Sequence, residues 1–336
     1  EGWAAGLQMA ALALQGTNQP GTTPDVTQFI HAFAGSNRFV LDYFIEEVLE
    51  SQPATIQDFL LRTSVLTRLN GALCDAVLSD EAGTKPRDSA EILKALDAAN
   101  LFLVPLDDHR EWYRYHQLFA DLLQNRLAQT APQLAPKLHQ RASLWYEAHA
   151  QYSEAIAHAL QGTDFERAAA LIERTVEAVL MRSEVRTFLA WLEQLPESTI
   201  LHHPTLCLYQ AWIMLMAGNP WTLIESRLET AIHAAESFPS QTTASVPAKA
   251  APLLSFIALY RGEVEEAAVL SERALAEIPP EDTFLRSLAA WSLGISQLAT
   301  GHTADGKALL EEVTRASRQA GNILVAALVL CHQAEM

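Results

Sequence analysis

The chain is poor in positive charge. Its 336 residues carry 23 Lys and Arg against 40 Asp and Glu, and the formal net charge is −17. The deficit is even along the chain, −8 before Ala131 and −9 from there on. Neither half therefore offers a basic surplus that could attract a phosphate backbone, which argues against nucleic-acid binding by this stretch alone.

Cysteines and long apolar runs are also scarce. Cys74, Cys207 and Cys331 are separated by more than a hundred residues each and form no C-x-x-C pair, so neither a disulfide framework nor a zinc ribbon is expected. No apolar run approaches the roughly 18 residues of a membrane span, and no signal peptide begins the sequence. A reducing, cytoplasmic setting without membrane contact is predicted.

Signatures of catalysis are missing as well. The sequence has no G-x-x-x-x-G-K-[ST], H-E-x-x-H or G-x-S-x-G motif, and no G-x-G-x-x-G after a strand. The adjacent His202 and His203 would point apart in regular structure, so a polar loop before Pro204 is favoured over a metal site. Paired acids are expected on solvated helix faces: Glu46 and Glu47, Glu265 and Glu266, Glu311 and Glu312. The chain is predicted not to be an enzyme.

Three short helical patterns follow Pro53, centred near Phe59, Leu73 and Leu93. Asp88 and Glu91 have the spacing of a capping box at the start of the third helix. Residues 101–105 and 111–115 then favour two strands of a hairpin, and a further helix follows. This order is typical of a winged helix, predicted over residues 51–130. Its third helix is net acidic, which favours a structural or regulatory role over DNA reading.

Helix pairs dominate the rest of the chain. Apolar and small residues recur at helical spacing on both sides of Gly218, Gly262 and Gly301, which lie 44 and 39 residues apart. Such a period is typical of a tetratricopeptide-like α-solenoid, predicted over residues 135–336. The Ser-, Thr-, Ala- and Pro-rich segment 238–252 is expected to be an exposed loop. The fold class is therefore mainly α, a winged helix with a small β-hairpin followed by a solenoid.

The densest aromatic and basic cluster of the chain is Trp112-Tyr113-Arg114-Tyr115-His116. One interpretation is a wing strand whose aromatic rings pack on the helices, while Arg114 and His116 cap the next helix. The other is an anion site, because a histidine beside a helix N-terminus can donate to a negative ligand. The residue types alone favour the first interpretation.

Six segments resemble, in order, the large LuxR-type, MalT-like transcriptional regulators, which belong to the signal-transduction ATPase (STAND) class related to NB-ARC proteins. They are GWAAGLQ at 2–8, FVLDYFIEEVL at 39–49, FLLRTSVLTRL at 59–69, NLFLVPLD at 100–107, WYRYHQLF at 112–119 and LHQRASLWY at 138–146. The resemblance covers about residues 1–220, and general helical-repeat character continues it.

The resemblance implies a site for ADP or ATP in a longer parent protein. Gly2 and Trp3 are similar to a glycine-x-proline element near the adenine, although Ala4 stands where the family has proline. His116 is similar to the winged-helix histidine that reaches the β-phosphate of ADP, with Arg114 beside it as a further candidate. Residues 1–50 are then expected to end the helical subdomain of a nucleotide-binding module.

The resemblance also implies partners and a division of labour. A small-molecule or protein inducer would bind the helical repeats, and the parent would self-associate. DNA would be contacted only through a domain outside this sequence, and the isolated segment would hold no cofactor. Because residue 1 is Glu, we expect a fragment of that parent. The alternative is a free-standing tetratricopeptide-like adaptor that binds a protein, which leaves the motifs before residue 120 unexplained.

Overall fold

The computed structural model describes residues 49–79, 88–99, 102–182, 184–237, 245–319, 325–327 and 329–331. They divide into two compact units, the first ending at Thr163 and the second beginning at Asp164. The first unit opens with the predicted winged-helix order: α1 (Ala54–Thr63), α2 (Gly71–Leu78), α3 (Ser89–Ala98), β1 (Leu103–Pro105), β2 (Tyr113–Tyr115) and α4 (Gln117–Thr130).

Side-chain caps define where α2 and α3 begin. Asn70 Oδ1 accepts a 2.7 Å hydrogen bond from the Leu73 backbone N–H, and Asp88 Oδ1 accepts one of 3.2 Å from that of Glu91. Each cap satisfies an N–H group that has no partner inside the helix. The predicted capping box is therefore half formed: Asp88 accepts the hydrogen bond from the Glu91 N–H. The Glu91 carboxylate lies 2.9 Å from Lys94 Nζ instead.

The wing packs on the helices through one face of β2. β1 and β2 are antiparallel, with Leu103 opposite Tyr115, and the Tyr113 backbone exchanges two further hydrogen bonds with Leu69. Tyr113 and Tyr115 are buried. The core that receives them is apolar: Phe59, Leu60, Leu69, Leu73, Val77, Leu93, Leu96, Phe119 and Leu123. The hairpin is therefore part of the winged-helix core.

Two more helices complete the first unit, α5 (Leu134–Ala148) and α6 (Tyr152–Gln161). α5 packs against α2, and Arg141 Nη1 donates a 3.1 Å hydrogen bond to the Val77 carbonyl. The first unit thus extends past the winged helix to Thr163. The predicted domain boundaries at residues 50, 130 and 135 stay predictions.

The second unit is helical throughout its described residues. Its helices are, in chain order, α7 (Phe165–Met181), α8 (Val185–Leu192), α9 (Glu197–His202), α10 (Pro204–Met216), α11 (Trp221–Ser237), α12 (Val246–Arg261), α13 (Val264–Glu277), α14 (Thr283–Ala299) and α15 (Thr303–Gln319). The pairs α10–α11, α12–α13 and α14–α15 each pack together, and α12 also packs on α14. The acids Glu265, Glu266, Glu311 and Glu312 are exposed, as predicted, whereas Glu46 and Glu47 lie outside the described residues.

Glycine supplies the turn inside each of these three pairs. Gly218, Gly262 and Gly301 have φ of 72°, 79° and 89°, the left-handed region in which a Cβ atom is unfavourable. Gly262 closes α12, and its N–H donates to the Leu259 carbonyl. The 39- and 44-residue spacing therefore marks the repeat of a helix–turn–helix unit, and the predicted fold class is confirmed.

The exposed loop predicted over residues 238–252 is wrong for its second half. Residues 238–244 lie outside the described part, but α12 begins at Val246, and Val246, Ala250 and Pro252 are buried. Pro247 fits because the first turn of a helix needs no N–H donor. The small side chains, which favoured a loop by composition, instead allow α12 to lie among its neighbours.

We expect Gly262→Ala to lower the free energy of unfolding by about 1 kcal/mol, because alanine resists a left-handed φ. No atom lies within 4 Å of a Cβ added there, so the loss would come from the backbone alone. Gly262→Asn should lose less, since asparagine tolerates this region. Urea unfolding followed by circular dichroism measures both, and equal stability of wild type and Gly262→Ala would contradict the assignment.

Candidate functional site

The candidate site lies at the junction between β2 and α4. His116 follows the last strand residue and occupies the N-cap position of α4, with extended backbone angles of φ −60° and ψ 137°. Its backbone N–H donates a 2.8 Å hydrogen bond to the Phe102 carbonyl, and its own carbonyl accepts from Phe119 and Ala120. The backbone of His116 is thus held by both the wing and the helix.

Alternation along β2 separates the two kinds of side chain in the cluster. Tyr113 and Tyr115 point into the core, and Tyr115 Oη lies 2.7 Å from Thr63 Oγ1. Burial raises the pKa of the Tyr115 hydroxyl. Arg114 is exposed and His116 half-buried, as expected for the opposite face of an extended strand. The aromatic packing predicted for this segment is therefore present.

The capping role considered for Arg114 and His116 is not found, because α4 has no side-chain cap. Instead His116 Nδ1 is buried without a hydrogen-bond partner among the described residues. A buried ring nitrogen normally has a hydrogen-bond partner, and none of the described residues supplies one to this atom. The first N–H groups of α4 lie beside it and have no intrahelical acceptor. Free N–H groups at a helix N-terminus favour anions in general, and the exposed Arg114 precedes His116 by two residues.

Two of the four candidate residues cannot be placed. Gly2 and Trp3 lie outside the described residues. The sequence analysis also missed Phe102, whose φ of 55° is unusual for a residue with a side chain. The Phe102 ring packs 4.6 Å from that of Phe119, between centroids, so the residue that holds the His116 N–H is itself tied to α4. A single sequence carries no signal for such a backbone conformation.

A pair of histidines, the buried His158 and the half-buried His139, joins α5 to α6. His139 Nδ1 and His158 Nδ1 are 2.9 Å apart, and the His158 ring stacks on Tyr146. One nitrogen must donate and the other accept, so at least one of the two rings is neutral. Desolvation lowers the pKa of His139 to about 4 and that of His158 to about 3. Sequence reasoning missed this pair because its members belong to different helices.

His203 is a second titrating centre and corrects the prediction of a polar loop. Its Nδ1 lies 3.0 Å from Glu173 Oε2 and its Nε2 3.2 Å from Glu166 Oε2, both on α7. The hydrogen bond to Glu173 is the main reason why its pKa is raised. His202 ends α9, so the two adjacent histidines serve different purposes. Within the described ranges no His, Cys, Asp or Glu cluster could hold a metal ion.

Comparison with known proteins places both parts of the fold. Residues 45–135 match the model of the MalT winged helix domain, and residues 248–336 match that of the MalT-like TPR region. Over these two stretches the chain is similar to MalT. The first match contains α1–α4 with the hairpin, and hence His116, while the second begins two residues inside α12 and contains α13–α15. The predicted resemblance to MalT-like regulators is confirmed.

Two kinds of relative share this MalT-like segment. The serine/threonine-protein kinase PknK of Mycobacterium tuberculosis is 32% identical over 285 residues, which are 83% of this chain and 24% of the kinase. The HTH-type transcriptional regulator MalT of Serratia proteamaculans is 28% identical over 337 residues, all of this chain and 36% of the regulator. The chain therefore spans between a quarter and about a third of these relatives. None of its described helices is long and apolar enough to cross a membrane.

We expect acid to destabilise the first unit through the histidine pair. The folded pKa values lie below the usual 6.5, so the unfolded state binds more protons as pH falls from 6.5 towards 4. Stability is then lost over that window, by on the order of 3 kcal/mol for one such proton. His139→Phe combined with His158→Phe should flatten the pH dependence of the urea midpoint. His149→Phe, at an exposed position, should not, and an unchanged slope in the double variant would contradict the assignment.

His203 should act in the opposite direction. Its raised folded pKa means that the stabilisation by Glu173 and Glu166 is fully present below pH 6.5 and is lost as pH rises through the folded value. His203→Gln should therefore lower stability by about 1 kcal/mol at pH 6 and less at pH 9. Thermal melting at the two pH values measures the difference, and His202→Gln is the neighbouring control. An equal loss at both pH values would contradict the ionic role.

Proposed function

We propose that this chain is the central regulatory and signal-sensing segment of a MalT-like, LuxR-family transcriptional regulator. In this view the winged helix couples the nucleotide state of the parent, ADP or ATP, to the binding of an inducer or partner on the helical repeats. The observation that carries the proposal is one chain in which a match to the MalT winged helix domain precedes a match to the MalT-like TPR region. Within the first match, the buried His116 Nδ1 has no partner among the residues that the structure describes.

The two kinds of relative support a regulatory role. One is named a kinase and the other a transcriptional regulator, yet both contain the segment that this chain matches. A kinase and a transcriptional regulator act in different ways. A segment that both contain is therefore better explained as a sensing part than as an effector part. The segment itself would then catalyse nothing and bind no DNA, which agrees with its net charge of −17. It would work in the cytoplasm, where both outputs are used.

His116 fits the role of a nucleotide sensor. Nδ1 has no partner among the described residues, the α4 N-terminus presents N–H groups beside it, and exposed Arg114 adds a positive charge. A bound ADP would supply phosphate oxygens as hydrogen-bond acceptors. His116 would donate to them and so hold the winged helix in one position, and Gly2 and Trp3 would lie nearer the adenine. Exchange for ATP would change that contact and release the winged helix.

The adaptor alternative accounts for the helix pairs from α10 to α15 equally well. It gives no reason for a winged helix, nor for a buried His116 Nδ1 to which none of the described residues binds. A sensor that binds an inducer or a partner protein on its repeats, and that self-associates in the parent, explains both parts of the chain. Stacked helix pairs suit the sensing task because they offer a long continuous surface.

We expect His116→Ala to speed the release of ADP about tenfold in an extended chain that includes the nucleotide-binding module of the parent. The reason is the loss of one charge-assisted hydrogen bond. Stopped-flow fluorescence of a labelled ADP measures the rate. The His116 side chain makes no capping hydrogen bond, so the variant should melt within about 2 °C of the wild type.

His109→Ala is the matched control, because His109 is an exposed histidine in the hairpin turn. Its release rate should equal that of the wild type. A wild-type rate in His116→Ala would remove the sensor role from this residue. An extended chain that neither retains nor binds ADP or ATP would overturn the nucleotide coupling as a whole.

A further inference from the structure

Four aromatic rings form a row across three helices of the second unit. Trp221, at the start of α11, lies 5.4 Å from Tyr260 on α12, measured between ring centroids. Tyr260 lies 4.8 Å from Phe256, which lies 5.2 Å from Trp291 on α14. Neighbouring rings are tilted by 30° to 35°, as aromatic contacts prefer to be offset. The row therefore ties three helices together.

The rings of the row differ in how much of each side chain is exposed to water. Trp291 and Phe256 are buried, whereas Tyr260 is 62% exposed. Tyr260 is therefore in contact with the buried Phe256 ring, while most of its own side chain is open to water. The buried rings fix the position of Tyr260, so its outer face is a rigid platform.

Acidic side chains surround this platform. Trp221 and Glu225 share a face of α11, being four residues apart, and Glu225 binds Arg261 with Nη–Oε distances of 2.6 and 2.8 Å. Glu263 follows Arg261 by two residues, and Glu266 lies in the first turn of α13, so both carboxylates belong to the turn that begins at Arg261. Glu225 first, and then Glu263 and Glu266, raise the pKa of the Arg261 guanidinium.

The charge count at the platform is negative. Glu225 neutralises Arg261, and Glu263, Glu265 and Glu266 remain as exposed negative charges at the start of α13. We call this surface, made of Trp221, Glu225, Tyr260, Arg261, Glu263 and Glu266, the aromatic–acidic patch. The whole chain has a net charge of −17, so the negative electrostatic potential of the patch and that of the rest of the molecule have the same sign.

We propose that the aromatic–acidic patch binds an arginine- or lysine-bearing segment of a partner protein. An aromatic face attracts a cation, and carboxylates nearby pair with it, which is the combination that guanidinium and ammonium groups require. An anionic ligand would be repelled, and a second copy of this acidic chain would be disfavoured for the same reason. The inference rests on the proposed function in one respect, that the helical repeats are the sensing surface.

The test uses a fluorescein-labelled peptide in which arginine alternates with alanine, and the same peptide with neutral citrulline in place of arginine. Binding to the full chain is followed by fluorescence anisotropy in 150 mM salt, which suppresses long-range attraction, about the physiological ionic strength. The arginine peptide should bind at least about tenfold more tightly than the citrulline peptide. Absence of that preference would overturn the proposal.

Variants locate the binding. Tyr260→Leu keeps an apolar side chain but removes the ring, and should weaken binding of the arginine peptide about tenfold. Tyr260→Phe keeps the ring, so its affinity for the peptide should stay within about twofold of the wild-type value. Glu263→Gln with Glu266→Gln should also weaken it about tenfold. The matched control carries Glu311→Gln and Glu312→Gln, which makes the same change in net charge on exposed positions of α15.

The control pair should alter the affinity less than about twofold. If it weakens binding as much as the patch pair does, the attraction is a general effect of net charge and the proposal is wrong. A wild-type dimer in light scattering that Tyr260→Leu dissociates would identify a second copy as the occupant and would also overturn it. If the chain does not bind the arginine peptide but binds another ligand elsewhere on the helical repeats, the proposal for this patch is wrong. The proposed function would stand in that case.

Discussion

The pairing of β2 with β1 on one side and with Leu69 on the other is the constraint on which the winged helix depends. It fixes the alternation of the strand, so Tyr113 and Tyr115 must point into the core while Arg114 and His116 must point away from it. A shift of one residue would bury arginine and histidine and expose two tyrosines. The position of the candidate sensor is therefore set by the burial of its neighbours, and its own side chain makes no capping hydrogen bond to α4.

The winged helix is also joined to the helix pair that follows it. Arg68 lies over the Trp112 ring, 5.3 Å from its centroid, and its Nη2 is 2.7 Å from a Glu154 carboxylate oxygen on α6. Trp112 in turn meets Trp145 on α5 edge to face. The Arg68 and Glu154 side chains are each about 40% exposed, so their ion pair contributes little stability by itself. The aromatic packing and the Arg141 hydrogen bond strengthen the same junction. A movement of the winged helix would therefore carry α5 and α6 with it.

The sequence predicted features that depend on local order and missed those that depend on distant contacts. Gly218, Gly262 and Gly301 could be found because a left-handed turn needs glycine wherever the chain places it. The β2–α4 junction could be found because alternation and a helical pattern meet at His116. The burial of α12 could not, since Val246 to Pro252 becomes a helix only through the neighbours that cover it. Gly2 and Trp3 stay predictions outside the described residues.

The ionisable contacts between separate helices also could not be predicted from the sequence. Neither the neutral pair of His139 and His158 nor the double carboxylate contact of His203 is visible from spacing, because each joins separate helices. Their environments shift the pKa in opposite directions, downward by desolvation and upward by hydrogen bonding to carboxylates. A net charge of −17 therefore does not describe the interior, where titration is decided by a few contacts. It describes the surface, where an excess of exposed carboxylates favours positively charged groups over negative ones.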